Sequence, residues 1–228
     1  MRAMILAAGL GNRMRPLTLT TPKPLLTVAG KPLIVWHIEA LKKIGVTEIV
    51  INAAWLKEKL VTALGDGKQF GVNITWSLED EGLETAGGII QALPLLGEAP
   101  FLLINGDVWT RYDFSELLDF DLGDDLAYLL LVDNPVQHPK GDFVLAKERL
   151  FTFEQQQDGE ALTFSGISVL SPRLFANLSS GKRPLAPLLK AAMHRQQVSG
   201  KKIQQAWVDV GTPERLTQLN QQVENQVI

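Results

Sequence analysis

Residues 4–11 read Met-Ile-Leu-Ala-Ala-Gly-Leu-Gly, and Asn12, Arg13, Met14, Arg15 and Pro16 follow. An apolar run that stops at a glycine pair predicts a buried strand feeding a tight loop. Outward from there, strand and helix patterns alternate. Residues 16–24, with three prolines, read as loop. Residues 31–44 predict a helix with Leu33, Trp36, His37, Ala40, Leu41 and Ile44 on one face, Pro32 in its first turn and Gly45 as its stop. Strands are expected at 48–53, 72–78 and 101–104, and helices at 55–64 and 85–96, the latter weakened by Gly87 and Gly88. Strands apolar throughout, alternating with helices, imply a parallel sheet covered on both faces.

From about residue 126 the pattern changes. Short strands at 127–132, 143–147, 150–154 and 162–170 suggest antiparallel additions to the same sheet. A helix at 184–197, a last strand at 204–210 and a helix from Pro213 complete the chain. With 228 residues, no repeat and no linker, one mixed α/β domain is the economical reading. Apolar residues are 46% and charged residues 21%, as in an ordinary globular protein. A net charge of −3 gives no reason to expect nucleic acid or an anionic membrane as partner. The absence of cysteine excludes disulfides, zinc–thiolate sites and cysteine nucleophiles. The first residues are too short an apolar run for a signal peptide, and nothing approaches the ~18 apolar residues of a membrane span, so a cytoplasmic location is the default expectation. The chain carries no sign of its oligomeric state, for which a monomer is the default.

The glycine loop points to phosphate. Glycines let backbone N–H groups approach an anion closely, and Arg13, Arg15 and Lys23 follow in a proline-rigidified loop. A solvated basic loop is the plainer alternative. A dinucleotide site would want glycine at Met14 and a helix where Pro16 stands, and a Walker loop would need Gly-Lys-Ser/Thr. Asp107 ends an apolar strand, where ligands of open α/β sheets bind and a carboxylate suits Mg²⁺. On the residues alone it is equally a turn aspartate. His37 reads as a core histidine, and His138 and His194 as surface residues.

Residues 6–18 and 22–25 resemble the signature of the sugar-1-phosphate nucleotidylyltransferase family almost letter for letter. The resemblance continues, in order, at residues 83–87, 105–107, 164–167 and 209–214. It implies a single-domain Rossmann-like, GT-A-type fold, with a nucleotide-binding half over residues 1–125 and a sugar-binding half over 126–228. It implies that Ala7, Ala8, Gly9, Gly11 and Arg13 wrap the triphosphate and base, and that Lys23 contacts the phosphates, with Arg13 and Lys23 stabilising charge. Glu79 and residues 82–86, among them Gly82 and Thr85, would read the base, with Asn105 beside nucleotide and sugar. Glu84 stands where the family commonly has glycine. Asp107 and Asp209 match the metal ligands, with Mg²⁺ as the implied cofactor. Gly141, Glu154, Ser165 and Gly166 match sugar-contacting positions, with Asp142 and Trp207 as further candidates. Gln155 departs from the Glu-Lys pair of the commonest members.

The implied substrates are a nucleoside triphosphate and a sugar 1-phosphate, with pyrophosphate released. The length and motifs look most like the N-acetylmuramate 1-phosphate uridylyltransferases of cell-wall recycling. Mannose-1-phosphate guanylyltransferases and glucose-1-phosphate thymidylyl- or uridylyltransferases are the next most similar. No added C-terminal domain or acetyltransferase activity is expected. A regulatory subunit without turnover would be expected to lack Lys23, Asp107 or Asp209, and all three are present.

Overall fold

The computed structural model describes residues 1–118 and 120–228. In chain order its elements are β1 (Ala3–Leu6), β2 (Thr27–Val28), β3 (Lys31–Pro32), α1 (Leu33–Lys43), β4 (Glu48–Ala53), α2 (Lys57–Leu64), β5 (Asn73–Leu78), α3 (Glu84–Leu96), β6 (Phe101–Asn105), β7 (Val108–Thr110), β8 (Ala127–Val132), β9 (Phe143–Ala146), β10 (Arg149–Phe151), β11 (Glu160–Leu170), α4 (Ala186–His194), β12 (Val198–Lys202), β13 (Trp207–Asp209) and α5 (Pro213–Glu224). Nine strands form one sheet in the order β5-β4-β1-β6-β11-β8-β12-β10-β9. The first four run parallel, β11 enters antiparallel beside β6, and β8 runs antiparallel to β11. The fold is therefore the mixed, mainly parallel α/β sheet expected.

Alternation along the central strands covers both faces. On β1, Ala3 and Ile5 join the core that includes α1 and α2, while Met4 joins the core beneath α3 and α4. A third, smaller cluster lies under α5, where Leu216, Leu219 and Val223 meet Trp109, Leu33 and Val28. No helix among the described residues is long and apolar enough to cross a membrane.

Five expectations are corrected. Helix α1 begins at Leu33, because Lys31 and Pro32 pair with β2 instead. Its buried side also takes Ile34, Val35 and Ile38, since a helix wedged between sheet and ribbon buries more than one stripe. Strand β12 was not anticipated; its sequence Val-Ser-Gly-Lys-Lys carries little β signal, and it pairs parallel with β8, so the additions are not all antiparallel. The last strand shrinks to β13, which leaves the main sheet and pairs antiparallel with β7 as a two-stranded ribbon. Finally, Glu154 lies in a 3₁₀ turn over Phe153–Gln155, capped by Thr152, rather than on a strand.

Candidate functional site

The C-terminal ends of β1, β4 and β6 open on a cavity of about 390 Å³. Ala7, Ala8 and Gly9 line it from the glycine loop, Lys23 from the next loop, and Asn105 and Asp107 from the end of β6. Gly82 and Thr85 close it from the far side, with Leu83 and Glu84 between them. Gly11 does not line it. Instead Gly11 turns the chain at φ +62 and its carbonyl accepts from Thr18 Oγ1 at 2.7 Å. The backbone N–H groups of residues 8–11 have no protein acceptor among the described residues. Unpaired N–H groups around a cavity are what an anion satisfies.

A buried polar network holds this loop. Asn52 Oδ1 accepts from Ala7 N at 2.9 Å, Asn52 Nδ2 donates to Glu79 Oε1 at 2.7 Å, and Glu79 Oε2 accepts from Leu83 N at 2.9 Å. Asn52 and Glu79 are 2% and 1% exposed, so Glu79 stands behind the wall and fixes both its halves rather than lining the cavity. Gly88 makes room for the network, since a Cβ there would lie 2.7 Å from both Asn52 Nδ2 and Glu79 Oε1. Gly87 admits a strap, because a Cβ would sit 2.4 Å from the Gly181 carbonyl. That strap receives Ala86 N and Gly87 N on the Arg183 carbonyl and brings Lys182 to the cavity rim. The two glycines that weaken α3 as a helix are thus its packing face. Glu84 sits at φ 60, a left-handed conformation that favours glycine, the residue the family resemblance leads one to expect there.

A second cavity, of about 350 Å³, adjoins the first through Asn105 and Asp107. Arg13, Ser165, Gly166, Trp207 and Asp209 line it. A bulge in β11 between Phe164 and Ser168 pushes Ser165 and Gly166 out of the ladder. Trp207 Nε1 ties the ribbon to that bulge by donating to the Ser165 carbonyl at 2.8 Å. His138, at the same wall, pairs with Asp142 at 3.0 Å, and Asp142 accepts from Phe164 N at 2.9 Å. Gly141 and Glu154 line neither cavity. Gly141 is buried at φ +70, where a Cβ would meet Asn134 Oδ1 at 2.5 Å. Glu154 is exposed; its own backbone N–H first, then Thr152 and the charge of Lys190, hold its carboxyl below the usual range.

The two aspartates meet through the antiparallel β7–β13 ribbon. Asp209 pairs with Val108, and Val210 N donates to the Asp107 carbonyl at 3.0 Å. Each carboxylate already holds a cation: Lys23 Nζ is 2.7 Å from Asp107 Oδ2, and Arg215 Nη1 is 2.5 Å from Asp209 Oδ2. Lys23 is 8% exposed, so this loop lysine is buried. His37, behind the ribbon, donates from Nε2 to the Val108 carbonyl at 2.8 Å, and burial pushes its pKa down to about 4. It is the core histidine expected.

Sequence reasoning missed Asn52, Lys182 and Arg215. A lone asparagine in the apolar strand 48–53 was the available signal for the first. Nothing local marks the other two, which reach the site by long-range packing.

The nucleotidyl transferase family model matches residues 2–141. The chain is 53% identical over 223 residues to an N-acetylmuramate alpha-1-phosphate uridylyltransferase of Neisseria meningitidis serogroup B, covering 95% of each. It is 32% identical over 230 residues to a mannose-1-phosphate guanyltransferase of Schizosaccharomyces pombe, covering 93% of this chain and 61% of that one. Its backbone is similar, at TM-score 0.84 and 22% identity, to a Bacillus anthracis structure described as a glucose-1-phosphate thymidylyltransferase, covering 97% of this chain and 94% of that one. With HddC from Yersinia pseudotuberculosis the TM-score is 0.77 at 20% identity, covering 97% and 99%. Glycine loop, buried lysine and matched sequence agree: the chain belongs to the nucleotidyl transferase family and is an enzyme of that class.

Proposed function

We propose that this enzyme transfers UMP from UTP to N-acetylmuramic acid 1-phosphate, giving the UDP-sugar and pyrophosphate. The observation that carries the reading is two joined cavities holding unpaired loop N–H groups, Lys23, and both Asp107 and Asp209. The identity with the Neisseria meningitidis uridylyltransferase, over nearly the whole of both chains, supports the choice of base and sugar. An N-acetylmuramic acid product belongs to cell-wall recycling, and a supply of UTP suits the cytoplasm.

The triphosphate lies over residues 8–10 of the glycine loop in the first cavity, and the sugar phosphate lies in the second, beside Ser165 and Gly166. An oxygen of the sugar phosphate attacks the α-phosphorus; the bond to the bridging oxygen breaks, and pyrophosphate leaves with that electron pair. The nucleophile is already anionic, so no general base is required. Catalysis is positioning and charge neutralisation. Lys23 and Arg13 offset the charge of two approaching anions. The donor set fits Mg²⁺: Asp107 and Asp209 are hard oxygen ligands lining one cavity. When bound, Mg²⁺ supplies positive charge to the phosphate oxygens.

Pyrophosphate release measured across UTP, GTP and dTTP, each with N-acetylmuramic acid, mannose, glucose and N-acetylglucosamine 1-phosphates, tests the reading. UTP with the muramic sugar should be fastest. A clear preference for GTP with mannose 1-phosphate overturns the assignment.

A further inference from the structure

Past the second cavity lies a third, of about 500 Å³, that shares Pro135, Gln137, Trp207 and Asp209 with it. The three cavities therefore form one trench, and the third extends beyond the sugar position. One side is a face of α5: Arg215, Gln218 and Gln222 fall at i, i+3 and i+7 and all line it. Gln204 lines it from the segment between β12 and β13.

The chemistry of this lining is selective. The side-chain amides of Gln137, Gln218 and Gln222 have no hydrogen-bond partner among the described residues. Arg215 spends only Nη1 on Asp209, at 2.5 Å to the carboxylate and 3.0 Å to the carbonyl, which leaves Nη2 and Nε unpaired among the described residues. Gly211 lets the guanidinium lie against the backbone, since a Cβ there would be 2.8 Å from Nη2. Both acids of the cavity have a cation within reach: Asp209 pairs with Arg215, and Asp133 lies 2.7 Å from Lys202, which it shares with Glu160. What remains is a set of neutral amides around one guanidinium edge, suited to a single carboxylate flanked by uncharged polar atoms.

We infer that this cavity receives an acidic substituent of the sugar 1-phosphate. On the reading under Proposed function, on which the inference rests, that substituent is the lactyl ether of muramic acid. Arg215 Nη2 and the α5 amides donate to its carboxylate, and this contact separates the muramic sugar from N-acetylglucosamine 1-phosphate, which lacks it.

The test places a like charge on the α5 face. kcat and KM are measured for N-acetylmuramic acid 1-phosphate, for its lactyl amide and for N-acetylglucosamine 1-phosphate, in the parent and in Gln218→Glu. Gln218 is exposed, so the variant should melt with the parent; Gln222→Glu serves if it does not. The parent should prefer the acid to the amide. The variant should lose about tenfold in kcat/KM for the acid, through KM, while the amide and the unsubstituted sugar change little. A parent that treats acid and amide alike overturns the inference, as does a variant that weakens all three substrates equally or none. A parent that turns over mannose 1-phosphate with GTP in preference overturns the function itself. A parent that prefers the muramic sugar with its acid–amide discrimination untouched by the variant overturns only the cavity assignment.

Discussion

At the scale of single residues, the site is organised by two charge pairs. Lys23 is both buried and paired with Asp107, so it has two duties. Lys23→Ala should lower kcat/KM by roughly 10²-fold or more, because one transition-state contact is typically worth about 2.7–4 kcal/mol. Its buried stem also packs, so the melting temperature should fall by about 2–4 °C. Steady-state kinetics beside thermal melting checks both; activity within a few-fold of the parent would make Lys23 a structural lysine only. Asp209→Ala should nearly abolish turnover and raise the magnesium needed for what remains. Simple carboxylate repulsion would make the ligand-free protein more stable without Asp209. The Arg215 pair reverses that sign: losing Asp209 leaves a partly buried guanidinium with a backbone carbonyl alone, and about 1 kcal/mol of stability should go. Melting without ligand, beside turnover over a magnesium series, reads both effects.

At the scale of elements, α3 and its partners show what could be read in advance and what could not. Gly88→Ala adds helix propensity but drives a methyl toward Asn52 and Glu79. Crowding of that kind typically costs about 1–3 kcal/mol, against a propensity gain of about 1 kcal/mol. The variant should therefore melt lower, and KM for the nucleotide should rise, since Ala7 and Leu83 both hang on the network. Unchanged KM with a higher melting temperature would refute this role. The central strands were legible because a strand buried on both faces is apolar at every position, and β4 and β8 have the predicted bounds. The glycine loop was legible as a turn after β1, and its residues 7–10 line the first cavity. Strand β12 was not, because lysines and glycine reach an interior sheet position only through pairing with β8 and β10. Nor was the ribbon: a three-residue strand has no periodicity, and only the pairing of 207–209 with 108–110 defines it. Sequence spacing could assign Asp107 and Asp209 one role by family likeness, but not the geometry that joins them.

At the scale of the whole molecule, His37 links stability to pH. Its folded pKa is about 4 against 6.5 for the free side chain, so the unfolded chain takes up the proton first. Stability should be flat above pH 6.5 and fall as pH drops from 6.5 toward 4, by at most about 3 kcal/mol from this group. His37→Gln should flatten the slope of melting temperature over that window; an unaltered slope would assign acid sensitivity to other groups. The β7–β13 ribbon has a consequence in time. Asp107 and Asp209 are separated by nearly half the chain, yet neither aspartate is set until the ribbon closes. During synthesis the glycine loop emerges first and β13 among the last segments, so a growing chain can shape its nucleotide cradle well before it has both carboxylates. On the proposed roles of the two aspartates, competence waits for residues 207–209 to pair with β7.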